Sequence, residues 1–152
     1  MLVSPGTQQA SETDGADGRG WPRILAGPPV ASLEEYLQRG GGSALTRALE
    51  LGSVATIVEV SAARLRGRGG AGFLAGRKGA PLPNRGGRHH DAVCNAAEGE
   101  PGTFKDRAVM RHNPYAVLEG LLVAAHSVGA LEAYIALKAS FEPELARVGA
   151  AV

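Results

Sequence analysis

The sequence predicts an α/β fold, in which a helical N-terminal segment is followed by a βαβ unit of a parallel sheet. Three consecutive patterns carry this prediction. Residues 91–95 form a short run typical of a buried strand, 114–128 have apolar residues at helical spacing, and 132–137 form a second strand-like run. A helix between two strands of one sheet crosses over that sheet, so the strands are expected to be parallel and the connection right-handed.

The apolar residues of this βαβ unit are the expected core. Those of the helix recur every three or four residues, and those of the strands are bounded by polar turns. We expect the following residues to be largely buried: Val93, Leu118, Leu121, Leu122, Ala125, Tyr134, Ile135 and Leu137.

The chain before the βαβ unit divides near residue 30. Residues 1–30 are rich in Ser, Thr, Gln, Gly, Asp and Pro and show no apolar period, so they are predicted to be a disordered N-terminal segment. The folded domain is predicted over 31–152. Ser32 and Glu35 have the spacing of a capping box, which predicts a helix over 32–39 that three glycines then end.

The remaining elements are less regular. A second helix is predicted over 43–51, and 56–61 fits either a strand or a helical turn. Residues 64–90 hold many arginines, interleaved glycines and no acidic residue, which indicates a long loop around a short helical piece near 73–78. Two short helices are predicted later, over 106–111 and from Pro143 onwards.

Composition excludes several classes of function. The 152 residues include 16 Lys or Arg and 15 Asp or Glu, and a formal net charge of +1 argues against a globally basic nucleic-acid binder. One cysteine excludes a disulfide framework, and also a four-thiolate metal or iron–sulfur site made by this chain alone. No apolar run is long enough for a membrane span and no secretory signal is visible, so we expect a cytoplasmic protein.

A glycine-rich segment is the first candidate site. Residues 67–72, with the sequence GRGGAG, satisfy the pattern G-x-G-x-x-G, whose glycines let backbone N–H groups approach a phosphate without interference from a Cβ atom. The pattern alone fits a flexible turn equally well. A Rossmann dinucleotide site also needs a strand before it and an acidic residue about 20 residues later, whereas the nearest acid here, Asp91, begins another strand.

The polar stretch 95–107, just past the first predicted strand, is the second candidate site. Open α/β sheets bind ligands at the carboxyl ends of their parallel strands. Asn95 offers a donor and an acceptor, and the carboxylates of Glu98 and Glu100 are acceptors suited to ribityl or ribose hydroxyls. A solvated turn fits the same spacing. If the two candidates form one site, they face each other across a cleft.

Together the two segments resemble a known family. The stretches LRGRGGAGF at 65–73, GRK at 76–78, CNA at 94–96 and EPGTFKDR at 100–107 closely resemble the flavin-binding 51 kDa, or F, subunit of respiratory complex I, NADH:quinone oxidoreductase. The resemblance begins near Leu33 and runs almost to the C-terminus. It implies the N-terminal portion of an incomplete flavin-binding domain.

The resemblance also implies a function. A subunit of this family holds FMN, takes hydride from NADH and passes electrons singly to a [4Fe–4S] cluster. The implied partners are NADH and the other subunits of an NADH dehydrogenase-type complex, including an iron–sulfur subunit. Through that complex the chain would sit peripherally on the inner membrane face. The cluster itself would lie outside this chain, which lacks its cysteine ligands.

Individual roles follow from the same resemblance. It implies neither a catalytic side chain nor a metal ligand in this chain. Phe73 and Glu100 match positions that face the nicotinamide nucleotide, through aromatic stacking and hydrogen bonds to hydroxyls. The residues that match FMN-contacting positions are Gly67, Arg68, Gly69, Gly70, Lys78, Asn95 and Glu98.

The sequence departs from the family pattern within the site and in extent. Leu74 and Ala75 stand where the family has Pro-Thr, Ala97 stands where it has a carboxylate, and Gly99 stands where it has serine. The family's later Gly-Glu-Glu flavin motif and its cluster cysteines are absent from the sequence. We therefore expect the isolated chain to bind FMN weakly or not at all and to oxidise little NADH.

Two other functions fit the same residues. One is a truncated, non-catalytic remnant, or an assembly or interaction protein, that keeps the fold and binds no flavin. The other is a different nucleotide-binding enzyme that uses the glycine-rich segment alone.

Overall fold

A computed structural model describes residues 25, 27–67, 72–79 and 90–152, without the side chains of 78 and 79. The disorder predicted for 1–30 thus concerns residues that lie almost wholly outside the described ones. The helices and strands are, in chain order, α1 Leu33–Gln38, α2 Ser43–Leu51, α3 Ser53–Ala62, α4 Ala75–Gly79, β1 Asp91–Asn95, α5 Lys105–His112, α6 Pro114–Val128, β2 Glu132–Ala136 and α7 Glu142–Gly149.

The two strands and α6 form the predicted βαβ unit. β1 and β2 pair in parallel, with Val93 opposite Tyr134 and Cys94 opposite Ile135. A two-residue turn cannot join parallel strands, and the crossover helix α6 makes the connection. The predicted fold class, α/β with helices before a parallel βαβ unit, is confirmed.

Helix α6 has clear signals at both ends. Oδ1 of Asn113 accepts a hydrogen bond from the N–H of Ala116 at 3.0 Å, and Pro114 stands in the first turn, where no N–H is needed. Gly129 ends the helix with a φ of +66°, in the left-handed region that favours glycine. Between these ends α6 packs against α2, α3, α4, α5 and both strands, so it is the centre of the described part of the chain.

The N-terminal helices follow the predicted order. Oγ of Ser32 accepts from the N–H of Glu35 at 3.2 Å, as the capping spacing predicts, and begins α1. The segment that fitted either a strand or a helical turn belongs to α3. There the hydroxyl of Thr56 donates to the carbonyl oxygen of Gly52 at 2.8 Å, so the polar group of this buried residue is satisfied within the helix.

A compact apolar cluster lies between the sheet and the last helices. Ala96, Met110 and Val148 are buried together, with Ile135 and Leu137 packed against them. These residues come from the end of β1, from α5, from β2 and its extension, and from α7. The cluster therefore anchors the carboxyl ends of both strands to α5 and α7.

The predicted core is only partly correct. Ala125 is buried, but Val93, Leu122 and Tyr134 are about half exposed or more, at 61%, 45% and 50%. α6 covers one face of the two-stranded sheet, and Val93 and Tyr134 are register partners on the other face. α6 is apolar on nearly every side, so its periodicity does not identify the side that is buried, and Leu122 lies on the outer one.

Glu119, near the middle of α6, connects this helix to α1 and to the start of α2. Its carboxylate accepts from the N–H of Gly42 at 3.0 Å, from the N–H of Leu45 at 2.9 Å and from the hydroxyl of Tyr36. α2 has Gly42 at its N-cap and so no capping side chain of its own. Glu119 thus satisfies the N–H groups that the start of α2 leaves without partners.

We expect Glu119→Ala to destabilise the fold. The substitution leaves the tyrosine hydroxyl and the two amides without their acceptor, a loss of about 1–3 kcal/mol. Urea unfolding followed by circular dichroism measures the change. The matched control is Glu50→Ala, which removes an exposed carboxylate from α2 and should change the free energy of unfolding little. Equal losses for the two variants would contradict the capping role.

Acid should destabilise the protein partly through Glu119. Burial tends to raise the pKa of its carboxyl, but the hydrogen bonds from the tyrosine and the amides hold this pKa below the ordinary value of 4.5. Because the folded-state pKa lies below the unfolded one, the stabilisation is present above about pH 4.5 and is lost as the pH falls through the folded-state pKa. Urea midpoints at a series of pH values should therefore fall less steeply below this pH for Glu119→Gln than for the unmodified chain.

Candidate functional site

The acidic turn, 96–104, begins where both strands end. β1 ends at Asn95 and β2 at Ala136, and the N–H of Ala96 donates to the carbonyl oxygen of Ala136 at 2.9 Å. From there the acidic turn leads into α5, while Lys138 follows β2. The turn thus occupies the carboxyl edge of a parallel sheet, the edge at which α/β proteins bind ligands.

Local hydrogen bonds fold the two ends of the acidic turn. Oδ1 of Asn95 accepts from the N–H of Ala97 at 3.2 Å, the pattern of an Asx turn. Near the other end, the carbonyl oxygen of Glu100 accepts from the hydroxyl of Thr103 at 2.7 Å, and Gly102 has a φ of +77°. The side chains of Asn95 and Glu100 remain exposed, so both are accessible to a ligand.

Glu98 is the buried acid of this turn. Its side chain is 1% exposed, and its carboxylate accepts from the N–H of Asp106 at 3.0 Å and from Nε of Arg107 at 3.2 Å. Burial favours the neutral acid, but these hydrogen bonds hold the pKa of the Glu98 carboxyl below its ordinary value. α5 has Phe104 at its N-cap and no capping side chain, so Glu98 provides the acceptor for its first turn.

Arg107 binds the end of the acidic turn that leads into α5. Its Nη2 donates to the carbonyl oxygen of Thr103 at 2.9 Å, in addition to the bond with Glu98. The guanidinium also lies over two aromatic rings, 4.5 Å from the ring centre of Phe104 and 5.0 Å from that of Phe141. One side chain therefore joins the turn, α5 and the residue that precedes α7.

Lys138 holds the same turn from the second strand. Its Nζ donates to the carbonyl oxygen of Glu98 at 3.1 Å. Glu98 has a φ of +22°, a backbone conformation that side-chain-bearing residues rarely adopt. No motif in the sequence points to Lys138. Its one sequence signal is its place just after the second predicted strand, on the edge that both strands share.

The glycine-rich segment is closed at its base by backbone hydrogen bonds. The N–H of Gly67 donates to the carbonyl oxygen of Phe73, and the N–H of Ala75 to that of Leu65, both at 2.8 Å. These bonds flank an antiparallel bridge between residues 66 and 74. The amide of Gly67 is thus engaged inside the loop, while the ring of Phe73 is about half exposed at 49%.

Part of the predicted site lies outside the described residues. Arg68, Gly69 and Gly70 fall there, as does the side chain of Lys78, whose backbone belongs to α4. The structure places Glu98 and Glu100 within the acidic turn and Asn95 directly before it, at the end of β1. The cleft predicted between this turn and the glycine-rich segment stays a prediction.

Helix α4, which carries Lys78, packs very closely on α3. A Cβ atom on Gly76 would lie 2.1 Å from Oγ of Ser61 and 2.8 Å from its Cα, so only glycine fits there without movement. The Ser61 hydroxyl is itself held, because it donates to the carbonyl oxygen of Ile57 at 2.7 Å. Gly76 thus sets the separation of the two helices and, with it, the backbone position of Lys78.

An apolar cavity of about 380 Å³ lies beside this contact, between α3, α4 and α6. It offers few groups that could bond to a phosphate or a sugar, so the polar turn at the strand ends is the better candidate for a cofactor site. The cavity is lined by Ile57, Val60, Leu65, Ala75, Gly76, Gly120, Val123, Ala124, Ser127 and Val128.

The cysteine shows no sign of reactivity. Burial, followed by the nearby Asp106 carboxylate, raises the pKa of the Cys94 thiol, as is typical of a structural strand residue. Within the described ranges, no three His, Cys, Asp or Glu residues come together as a metal site would need. In the same part of the chain, no helix has the length and apolar character needed to cross a membrane.

The architecture and the site together define an α/β protein with a polar turn at the carboxyl edge of a parallel sheet. A family model described as the Nuo51 FMN-binding domain of the complex I 51 kDa group matches residues 60–152. Because this match covers more than half of the sequence, the chain belongs to the Nuo51 FMN-binding domain family. The resemblance inferred from the sequence motifs is confirmed.

Curated relatives agree with this family. The chain is 43% identical over 115 residues to the NADH-quinone oxidoreductase F subunit of Aquifex aeolicus, an alignment that covers 75% of this chain and 26% of the relative. It is 42% identical over 121 residues to one of the NADH-quinone oxidoreductase F subunits of Rhizobium meliloti, covering 79% of this chain and 29% of the relative. The chain therefore spans less than a third of the length of these relatives.

We expect Gly76→Ala to destabilise the α3–α4 contact. The added methyl group forces Ser61 or the whole of α4 to move, which costs about 1–3 kcal/mol, as overpacking generally does. Gly120→Ala is the matched control, because a Cβ atom at this position in α6 meets no atom of the described residues within 4 Å. Alanine there should stabilise the helix by about 0.5–1 kcal/mol. Urea unfolding measures the change in the free energy of unfolding. If this change had the same sign in both variants, the close contact would be disproved.

Proposed function

We propose that this chain forms the FMN-binding part of an NADH dehydrogenase module, in which hydride passes from NADH to FMN and electrons leave to an iron–sulfur cluster outside the chain. The observation that best supports this proposal is the acidic turn, fixed by Glu98 and Arg107 at the carboxyl ends of β1 and β2 in a chain of this family. A turn that is ordered before binding loses little entropy when a ligand arrives.

The described residues suit the polar groups of a flavin. Asn95 presents an exposed amide at a strand end, and an amide can both donate to and accept from the ring edge and the ribityl chain. Among the described residues, a Cβ atom on Gly67 would meet the Phe73 carbonyl oxygen alone, at 3.7 Å, an ordinary contact distance. The proposed FMN contacts are Gly67, Arg68, Gly69, Gly70, Lys78 and Asn95. Glu98 lies at the polar edge of the same site, with its carboxylate bonded to α5.

NADH would approach the exposed side of the same site. The ring of Phe73 can stack on a nicotinamide nucleotide, and the carboxylate of Glu100 can accept hydrogen bonds from ribose hydroxyls. FMN, when bound, supplies the capacity to take a hydride and release electrons one at a time. The residues of this chain then bind and orient the two ligands.

The proposed partners are the other subunits of an NADH dehydrogenase-type complex, including an iron–sulfur subunit. The relatives from Aquifex aeolicus and Rhizobium meliloti are subunits of NADH-quinone oxidoreductase by name. Association with such a complex would hold the chain peripherally at the inner membrane face.

One departure favours a second candidate function. Ala97 removes the carboxylate that the family resemblance implies beside Asn95, and its N–H only completes the Asx turn. Without that carboxylate the chain could be a non-catalytic member that keeps the fold and binds no flavin.

A chimaera separates the two candidates. The aligned residues of this chain replace their counterparts in the F subunit of Aquifex aeolicus. We expect the chimaera to purify with FMN and to reduce ferricyanide with NADH, whereas the 152-residue chain alone binds FMN weakly because many contacts are missing. Asn95→Ala in the chimaera should weaken FMN binding about tenfold through one lost hydrogen bond. Flavin absorbance per protein and the ferricyanide rate are the measurements.

The other outcomes have equally clear meanings. A folded chimaera without flavin would support the non-catalytic candidate. If a nucleotide raised the melting temperature of this chain and FMN did not, a nucleotide-binding enzyme that uses the glycine-rich segment would be the better assignment. In either case the proposed function is wrong.

A further inference from the structure

Two side chains hold Glu98 within the acidic turn, and both do so through hydrogen bonds to the protein itself. The carboxylate of Glu98 bonds to α5, and Nζ of Lys138 bonds to the Glu98 carbonyl oxygen. We propose that Glu98 and Lys138 are a pair of positioning residues, which hold the acidic turn in the shape that lets Asn95 and Glu100 meet their ligands. The ligand part of this inference rests on the proposed function, whereas the shape of the turn does not.

The contacts of Glu98 explain why its role is indirect. Oε1 accepts from the N–H of Asp106 at 3.0 Å, and Oε2 accepts from Nε of Arg107 at 3.2 Å and lies 3.5 Å from the Arg107 amide. With the side chain 1% exposed, a hydroxyl of a ligand could reach these oxygens only if the carboxylate left α5. That movement would leave the first turn of α5 without an acceptor, which is costly.

The backbone of Glu98 shows why a second contact is needed. A φ of +22° is unfavourable for a residue with a side chain, and such conformations persist only where the surroundings impose them. Here the side-chain carboxylate of Glu98 is bonded to α5, and its backbone carbonyl oxygen is bonded to Lys138. Removing either restraint allows the turn to relax towards ordinary backbone angles.

Lys138 also joins the acidic turn to the second strand. It stands two residues beyond the end of β2, and 40 residues separate it from Glu98. Its ammonium lies 5.5 Å from the ring centre of Phe141, which restricts where the flexible side chain can go. The turn is therefore fixed relative to both strand ends, the edge at which the proposed site forms.

Substitutions at Lys138 test the pair in the 152-residue chain. Lys138→Met keeps the length and removes the donor, whereas Lys138→Arg keeps a donor. In this chain we expect the methionine variant to exchange its Thr103 and Asp106 amide hydrogens at least about tenfold faster. In the chimaera, where FMN binding is expected, the same substitution should weaken FMN binding about tenfold in a fluorescence titration. The arginine variant should restore both properties to within about threefold.

The control for simple destabilisation is Glu119→Ala, which loosens α2 far from the turn. Studied well below its melting temperature, it should leave the exchange of the two turn amides in the chain, and the affinity of the chimaera for FMN, within about twofold of the values without the substitution. Glu98→Gln should behave like Lys138→Met in both measurements, because the amide supplies one oxygen acceptor where the carboxylate supplies two.

Each result decides a separate claim. Unchanged amide exchange in Lys138→Met would overturn the positioning pair, whatever happens to FMN. Faster exchange with unchanged FMN affinity would overturn the claim that the shape of the turn serves the ligand. If the folded chimaera without substitutions holds no FMN and amide exchange still responds to Lys138→Met, the proposed function fails while the restraint of the turn stands.

Discussion

Several described helices begin without a capping side chain of their own, and for two of them, α2 and α5, a glutamate from another element supplies the acceptor. α2 starts at Gly42 and receives the carboxylate of Glu119, whereas α5 starts at Phe104 and receives that of Glu98. The first N–H groups of a helix need acceptors, and a carboxylate meets this need while complementing the positive end of the helix dipole. Burial alone would raise the pKa of both carboxyls, but these donors hold each pKa below its ordinary value.

The two contacts organise different halves of the molecule. Through Glu119, the central helix α6 fixes both α2 and α1. The hydroxyl of Tyr36 in α1 donates to the same carboxylate, and its ring stacks on that of Tyr115 in α6 with 5.8 Å between the ring centres. Through Glu98, α5 fixes the turn at the edge of the sheet. The candidate site thus depends on a rigid connection between a helix start and a strand end. Such preorganisation is what a binding site requires of its supporting residues.

Sequence patterns predicted the helices and strands well, but they predicted the contacts between these elements less well. Asn113, Pro114 and Gly129 are local signals, and they delimited α6 correctly because capping chemistry acts within one turn. Val93 and Tyr134 were expected in the core and are exposed, since a short apolar run predicts a strand buried on both faces but does not show whether another layer covers the second face.

The candidate site shows the same limit. Asn95, Glu98 and Glu100 were placed in one polar stretch from their order along the chain, and the structure has them there, at the end of β1 and in the acidic turn. The inward direction of the Glu98 carboxylate and the bond from Lys138 depend on how the second strand and α5 pack against the turn. That packing is a property of tertiary structure, which neighbouring residues in the sequence do not encode on their own.

The two caps differ in when they can form as the protein is synthesised. Glu98 and the amide of Asp106 are 8 residues apart, so both partners of this hydrogen bond are synthesised at almost the same time. Glu119 is separated from Gly42 by 77 residues, so the start of α2 emerges long before its acceptor exists. Contacts between distant residues also carry the larger cost of loop closure. The contact between α2 and Glu119 therefore cannot form until α6 has been synthesised, whereas the contact between Glu98 and α5 can form locally.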